Sequence, residues 1–218
     1  MRKIEKELRT PLFEGIAEEN LGAMLGCLSY HLSRYKKGDP IALEQEHLRH
    51  IGIILSGAVD MVKEDLWGNK TMLVRMRRDE LFGESFACGS DTLSTVTFLA
   101  AEETEIMFIP FNKVMHTCTM ACAFHHRLVE NMVRLIADKN RDLMRKVEVV
   151  SKKNLREKIL AYLSLQAQLH ESRYFEIPLG RVELADYLCA DRSALTRELG
   201  KMREEGLIDY DKNMFRIF

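Results

Sequence analysis

The chain has 218 residues, of which 46% are hydrophobic and 30% charged, and its formal net charge is −1 at pH 7. Such a chain can bury ordinary hydrophobic cores in one large domain or two small ones, and its charge excludes the strongly basic field of a nucleic-acid coat protein. Any affinity for DNA must therefore come from a local basic face, helped by a second copy of the chain in a dimer.

The sequence shows no membrane or export segment. No apolar run approaches the length of a membrane span, and residues 1–8 are amphipathic and charged, unlike a signal peptide. The 5 cysteines show no regular pairing, which fits a reducing compartment where disulfides are rare. We therefore expect a cytoplasmic protein without a membrane partner.

The N-terminal half changes from a helical to an alternating hydrophobic pattern. Residues 11–32 place apolar side chains at mixed helical spacing, which predicts short helices. Residues 35–110 alternate with a period of two and are cut by turn residues such as Gly57 and Gly68. Many short strands of this kind predict a β-roll or barrel. The predicted strands cover residues 51–55, 59–63, 71–76, 94–99 and 105–109.

A long helix with a heptad seam follows. Its apolar residues recur at alternating steps of four and three, with one polar interruption at Asn140. A lone Asn in such a seam lowers stability but favours a parallel, in-register pair of helices, because each Asn can satisfy its partner. The seam therefore predicts a homodimer, and packing within one chain is the alternative. The predicted interface residues are Val129, Val133, Ile136, Asn140, Leu143, Val147 and Val150.

A second apolar stripe on this helix, Leu128, Met132 and Leu135, is predicted to pack on the β-rich domain. Further along, Asn154 with Glu157 three residues later has the pattern of a helix N-cap, so a hinge is predicted at residues 151–154. The sequence therefore predicts three parts: N-terminal helices and a β-roll at 1–118, a dimerisation helix and hinge at 119–152, and a C-terminal domain at 153–218.

Residues 181–206 predict two short helices joined by a tight turn. Each helix has its own apolar stripe, and Asp191 between them is a good N-cap, so the second helix is predicted to begin at Arg192. Ala185 is small where two crossing helices would approach most closely. Arg181 is placed before the first helix. This pattern is typical of a helix-turn-helix.

The second of these helices presents a polar face that contains hydrogen-bond donors and no acid. Arginine suits guanine and hydroxyl groups suit bases or phosphates, as a helix in the major groove requires. A solvated face on a helical hairpin is the alternative. After Gly206 the alternation of residues 207–218 predicts a terminal hairpin, so the helix-turn-helix is winged. The residues of the face are Arg192, Ser193, Thr196, Arg197, Gly200 and Lys201.

The motif RxELADYL…DRSALTRELxKMREEGLI resembles the C-terminal domain of the CRP/FNR family of bacterial transcription regulators. The order of short helices, glycine-punctuated roll and long helix extends this resemblance over nearly the whole chain. The resemblance implies an α+β fold with an N-terminal double-stranded β-helix, which is a cyclic-nucleotide-binding-like β-roll, followed by a long dimerisation helix and a C-terminal winged helix-turn-helix.

The resemblance also implies residue roles. Arg192, Ser193 and Arg197 fall where the family reads bases in double-stranded DNA, with Thr196 between them, and Arg181 falls where a phosphate contact is made. RNA polymerase is implied as a further partner. Many members have Glu in place of Ser193, so the half-site sequence cannot be carried over.

The effector site departs from the family pattern. In the cyclic-nucleotide-responsive members, a Gly-Glu turn takes the ribose, and an Arg-Ser or Arg-Thr pair further along takes the cyclic phosphate. Here Gly83-Glu84-Ser85 keeps the first half, but Ser94-Thr95 stands at the second, and residues 79–126 contain no Arg. An enclosed phosphate needs a paired cation or several convergent donors to offset its desolvation.

We therefore expect an unidentified small-molecule effector rather than cyclic AMP. The alternative for Glu84 is a turn residue that satisfies backbone donors. The predicted effector residues are Gly83, Glu84, Ser85, Ser94 and Thr95.

A metal, haem or redox site is a further hypothesis, because Cys118 and Cys122 lie four residues apart with His116, His125 and His126 nearby. Small thiols on a buried helix face are the alternative, and we expect no metal. The sequence contains no Walker loop, HExxH motif or nucleophile elbow, so no enzyme is expected.

The sequence therefore predicts an effector-gated, sequence-specific DNA-binding transcription regulator that acts as a homodimer on a palindromic operator. The second hypothesis is a sensor or adaptor whose winged domain binds a protein partner.

Overall fold

The computed structural model describes residues 8–115 and 123–218. The chain divides into two compact units, Met1–Ala137 and Asp138–Phe218. The division falls inside a long helix, Ala123–Val150, because Leu128 and Met132 belong to the N-terminal core and Val149 to the C-terminal core. The predicted division into three parts, with boundaries after residues 118 and 152, stays a prediction.

The described part of the N-terminal unit contains two antiparallel four-stranded sheets, with strand orders β1-β8-β3-β6 and β2-β7-β4-β5. This arrangement confirms the predicted β-roll. In chain order the elements are a 3₁₀ turn (Pro11–Phe13), α1 (Glu18–Leu28), β1 (His31–Tyr35), β2 (Pro40–Ala42), β3 (His50–Ser56), β4 (Ala58–Glu64), β5 (Lys70–Arg77), β6 (Leu81–Phe82), α2 (Glu84–Ala87), β7 (Thr97–Ala100), β8 (Thr104–Pro110), α3 (Phe111–Met115) and the long helix α4 (Ala123–Val150).

Strand β3 is buried on both faces at residues 51–54, where isoleucines and one glycine follow one another. Ile51 and Ile53 pack with the helices, whereas Ile54 packs in the interior of the roll. Gly52 faces the interior, where an added Cβ would lie 2.3 Å from the ring of Phe82. A glycine is therefore required for the close approach of β3 and β6.

Helix α4 contributes one stripe to the N-terminal core, as predicted. Leu128 and Met132 are buried there, and Leu135 packs against the same cluster. Asn131 is also buried on this side, and its amide donates to the carbonyl oxygens of Leu12 at 3.0 Å and Glu14 at 2.8 Å. This polar anchor, which the apolar pattern does not reveal, fixes the 3₁₀ turn on α4.

The C-terminal unit contains helices packed on a three-stranded sheet of order β10-β11-β9. The strand β9 pairs with the predicted terminal hairpin and is too short to show a sequence pattern. After the end of α4 the elements are α5 (Leu155–Leu169), β9 (Tyr174–Glu176), α6 (Arg181–Tyr187), α7 (Arg192–Glu204), β10 (Ile208–Asp211) and β11 (Met214–Ile217).

The predicted start of α5 and both predicted apolar stripes are confirmed. The side-chain oxygen of Asn154 accepts a hydrogen bond from the Glu157 backbone N–H at 2.9 Å. The stripes of α6 and α7, namely Leu184, Ala185, Leu188, Leu195, Leu199 and Met202, are all buried in one core.

None of the helices in residues 8–115 and 123–218 combines the length and the apolar character that a membrane span requires.

Candidate functional site

The turn between α6 and α7 is fixed by Asp191. Its carboxylate accepts hydrogen bonds from the backbone N–H groups of Ser193 at 2.8 Å and Ala194 at 3.0 Å, so α7 begins at Arg192 as predicted. The Ser193 hydroxyl donates to the same carboxylate at 2.5 Å. These hydrogen bonds, with a smaller contribution from Arg197, lower the pKa of Asp191. The cap is therefore a carboxylate at neutral pH.

The structure brings the predicted recognition residues of α7 together on one exposed face. Leu195, Leu199 and Met202 are buried on the other side of the helix. The Thr196 hydroxyl donates to the Arg192 carbonyl oxygen at 2.9 Å, so its proton is committed within the helix. The cationic side chains therefore supply the outward donors of the face. The exposed members of the face are Arg192, Ser193, Thr196, Arg197 and Lys201.

The prediction that Arg181 precedes the first helix is wrong. Arg181 is the first residue of α6, and the preceding Gly180 is the N-cap, whose N–H donates to the Glu183 carboxylate at 2.9 Å. This reciprocal bond needs only the backbone of Gly180, so the cap lacks the side chain by which sequence patterns reveal helix starts.

The guanidinium of Arg181 packs against the wing. It donates to the Lys212 carbonyl oxygen at 2.8 Å and lies 4.9 Å from the ring centroid of Tyr210 and 5.1 Å from that of Phe215. Burial lowers the pKa of Arg181. The predicted phosphate contact stays a prediction, and it would require the guanidinium to leave this position.

The wing follows α7 directly. Gly206 has φ of +72°, and the N–H of Leu207 donates to the Met202 carbonyl oxygen at 3.0 Å, which is a Schellman ending. Strands β10 and β11 then pair antiparallel, with Lys212 exposed at their turn. The sequence pattern marks Lys212 only as a turn residue, whereas the structure places its carbonyl on Arg181 and its side chain at the tip of the wing.

The first half of the candidate effector site lies at the start of α2. Gly83 has φ of +80° and is the N-cap of this helix. Glu84 is buried, and its carboxylate accepts a hydrogen bond from the Ser85 hydroxyl at 3.3 Å. The Gly-Glu turn is therefore a formed feature of the roll.

The second half of this site differs from the predicted strand 94–99, because β7 begins only at Thr97. Ser94 is fully buried in the preceding loop, and its hydroxyl donates to the Val96 carbonyl oxygen at 2.7 Å. Thr95 is exposed, and its carbonyl oxygen accepts a hydrogen bond from Lys63 Nζ at 2.8 Å. Lys63 also pairs with the Glu44 carboxylate. At the predicted second half of the site, Ser94 therefore has a buried hydroxyl, and Lys63, the cation that contacts Thr95, already has two acceptors.

The predicted metal or redox cluster falls largely on Cys118, Cys122 and His116, which lie outside the described residues. Of the two nearby histidines in the description, His125 is buried and His126 is exposed. Within residues 8–115 and 123–218, no group of three or more His, Cys, Asp or Glu residues could hold a metal ion.

Comparisons with known proteins agree with this architecture. Residues 32–119 match the cyclic nucleotide-binding domain, and residues 157–218 match the Crp-like helix-turn-helix domain. A sensor-type roll joined to a DNA-binding-type domain defines a transcription regulator. The chain belongs to the CRP/FNR family of these regulators.

Individual relatives are distant but span most of the chain. The transcriptional activator protein FnrA of Stutzerimonas stutzeri is 24% identical over 84% of this chain and 74% of its own. The cyclic AMP receptor protein of Thermus thermophilus is 24% identical over 91% of this chain and 88% of its own. The crystal structure of the Thermus thermophilus catabolite activator protein covers 96% of this chain and 94% of its own, with 22% identity and a TM-score of 0.51, which shows a shared fold.

The turn between the two helices stores backbone strain at Cys189, whose φ is +51°. A residue with a Cβ loses about 1–2 kcal/mol in this left-handed region, and a glycine does not, although it gains entropy in the unfolded chain. We expect Cys189→Gly to raise the free energy of unfolding by about 0.5–1 kcal/mol, measured by urea denaturation.

The matched control is Cys27→Gly, at an exposed cysteine within α1. There the same change should lower the free energy of unfolding by up to about 0.5 kcal/mol, because Cys27 lies in the last turn of α1 and glycine is a weaker helix former than cysteine. Equal losses at both positions would contradict the assigned strain.

Proposed function

We propose that the chain is an effector-gated, sequence-specific DNA-binding regulator that acts as a homodimer on a palindromic operator. The observation that carries this proposal is the exposed face of α7, on which Arg192, Arg197 and Lys201 lie opposite a buried apolar stripe. Donors of this kind match base edges and phosphates in the major groove. Two such helices in a dimer would read half-sites about 34 Å apart.

The seam of α4 supports the homodimer. Val133, Leu143 and Val147 are 59%, 60% and 54% exposed in the single chain. These apolar side chains recur with Asn140 in a heptad pattern, so a second α4 is the surface that would bury them in register. The alternative, in which the seam packs within one chain, does not account for the exposure of these three side chains.

The order of the elements supports the proposed effector gating. The turn at residues 151–154 separates α4 from α5, and α5 belongs to the unit that carries α6 and α7. A small molecule bound at the Gly83-Glu84 turn would act by favouring one arrangement of the paired recognition helices over another. RNA polymerase is the proposed further partner, because one relative is named a transcriptional activator.

The readout role of α7 is tested by selecting the operator from a random duplex library with wild type and with Arg197→Ala. The guanidinium fork of arginine matches guanine O6 and N7 together. Its loss should therefore cost about 1–3 kcal/mol of binding free energy and relax the preference at one base pair in each half-site. Wild-type affinity should also fall steeply with added salt.

Arg181→Ala is the comparison. Arg181 is predicted to contact phosphate rather than a base, so its removal should weaken the binding of all DNA sequences alike. An unchanged base preference for Arg197→Ala would remove it from readout. Wild-type binding to duplex that is absent, or insensitive to salt, would favour the adaptor hypothesis instead.

The proposed dimer is tested at Asn140, an exposed polar residue in the seam. Asn140→Val should tighten association but allow higher oligomers or shifted registers, because the apolar replacement removes the partner-matching amide pair. Sedimentation velocity measures both effects. Arg134→Val, an exposed position outside the seam, is the control and should leave association unchanged. A monomeric wild type would refute the proposed interface.

The effector is tested with cyclic AMP and thermal unfolding. A ligand that binds only the folded state stabilises it by about 2.7 kcal/mol at a hundredfold excess over its Kd. Because Ser94 is buried against backbone and Lys63 is paired with Glu44, we expect no shift in Tm with cyclic AMP and no gain in operator affinity. A clear rise in Tm would overturn the assignment of Ser94-Thr95 as unable to hold a cyclic phosphate.

A further inference from the structure

We infer that Arg156, the second residue of α5, is a positioning residue that sets the direction of the recognition helix α7. The inference rests on the proposed DNA-binding function. The Nε atom of Arg156 donates to Glu198 at 2.5 Å. Its two terminal nitrogens donate to the two carboxylate oxygens of Glu205 at 2.7 Å and 2.8 Å. One guanidinium thus joins α5 to the middle of α7 and to the residue that ends it.

The geometry of this contact suits a role in orienting α7. Glu198 and Glu205 are about two helical turns apart, so the guanidinium holds α7 at two points along one flank and restricts its tilt. The bidentate fork to Glu205 fixes the plane of the contact as well as its length. The bonds to Arg156 lower the pKa of Glu205, so the contact is ionic at neutral pH. Exposed ion pairs contribute little to folding stability, so the main effect of these contacts is on direction.

Arg156 lies at the start of α5, after the turn that separates this helix from α4. It is two residues beyond Asn154, which caps the same helix. Two residues later, Lys158 Nζ donates to the carbonyl oxygen of Leu188, the C-cap of α6, at 3.3 Å. The first turns of α5 therefore hold both helices of the helix-turn-helix, and a tilt of α5 would carry α7 with it.

The contact leaves the recognition face open. With 3.6 residues per turn, Glu198 and Glu205 fall on the flank of α7 next to the buried stripe, away from Ser193 and Arg197. Loss of Arg156 should therefore disturb the angle at which α7 enters the groove without removing a base contact. Specific binding depends on that angle, whereas non-specific binding depends mainly on phosphate charge.

The test is Arg156→Ala in the full-length protein, with affinity measured for the selected operator and for a random duplex at several salt concentrations. We expect operator affinity to fall about tenfold and random-duplex affinity to change by less than about threefold, so the specificity ratio falls. Arg156→Lys should recover only part of the ratio, because an ammonium cannot bind two carboxylates as a planar fork does.

Two controls separate direction from charge. The triple variant Arg156→Ala, Glu198→Gln, Glu205→Gln removes the acids that the single change leaves unpaired, and it should show the same loss of specificity. Arg145→Ala breaks an ion pair with Asp142 of 3.0 Å that lies within a single helix, and it should leave the ratio unchanged.

Several results would overturn the inference. One is an Arg156→Ala protein whose ratio of operator affinity to random-duplex affinity equals that of the wild type. Another is an equal loss of operator and random-duplex affinity together with a lower Tm, which a merely structural contact would give. Recovery of the ratio in the triple variant would show that charge rather than direction was at work, and would also overturn it. A wild-type protein without any sequence preference would refute the proposed function itself, a result distinct from the others.

Discussion

The burial of one side of α7 is the constraint on which the DNA-binding unit depends. Leu195, Leu199 and Met202 must leave water, and they do so against α6 and the sheet of the wing. This burial fixes the rotation of the helix about its axis, so the side that carries Ser193, Arg197 and Lys201 is the one exposed. Asp191 fixes where the helix begins. The chemistry of the recognition face is thus a consequence of packing on the opposite side of the same helix.

The long helix α4 shows how two functions share one element. Its first stripe contributes to the N-terminal core, where Asn131 also anchors the 3₁₀ turn. Its second stripe remains exposed in the single chain and has the heptad spacing that a second copy would match. An apolar seam exposed to water is costly unless a partner covers it, so the same helix that completes the N-terminal core supports the proposed dimer.

The roll matches the cyclic nucleotide-binding domain, but its predicted phosphate-binding half contains no arginine. Gly83 and Glu84 keep the first turn, but Ser94 uses its hydroxyl within the loop, and Lys63 already has Glu44 and the Thr95 carbonyl oxygen as acceptors. A cyclic phosphate would have to displace these contacts and supply its own neutralisation. The shared fold therefore does not define the chemistry of an effector, which would depend on a few loop residues.

The β-roll, the long helix with its two stripes, and the cap and start of α7 could be predicted from the sequence, because they follow from local periodicity and from short-range hydrogen bonds. Features that depend on residues distant in the chain could not be predicted in this way. Arg181 lies on the wing because Lys212 and Tyr210 come to it, and Arg156 meets Glu198 and Glu205 only once α5 packs beside α7. A charged side chain carries no periodicity that names its partner, so such contacts are visible only in the folded protein.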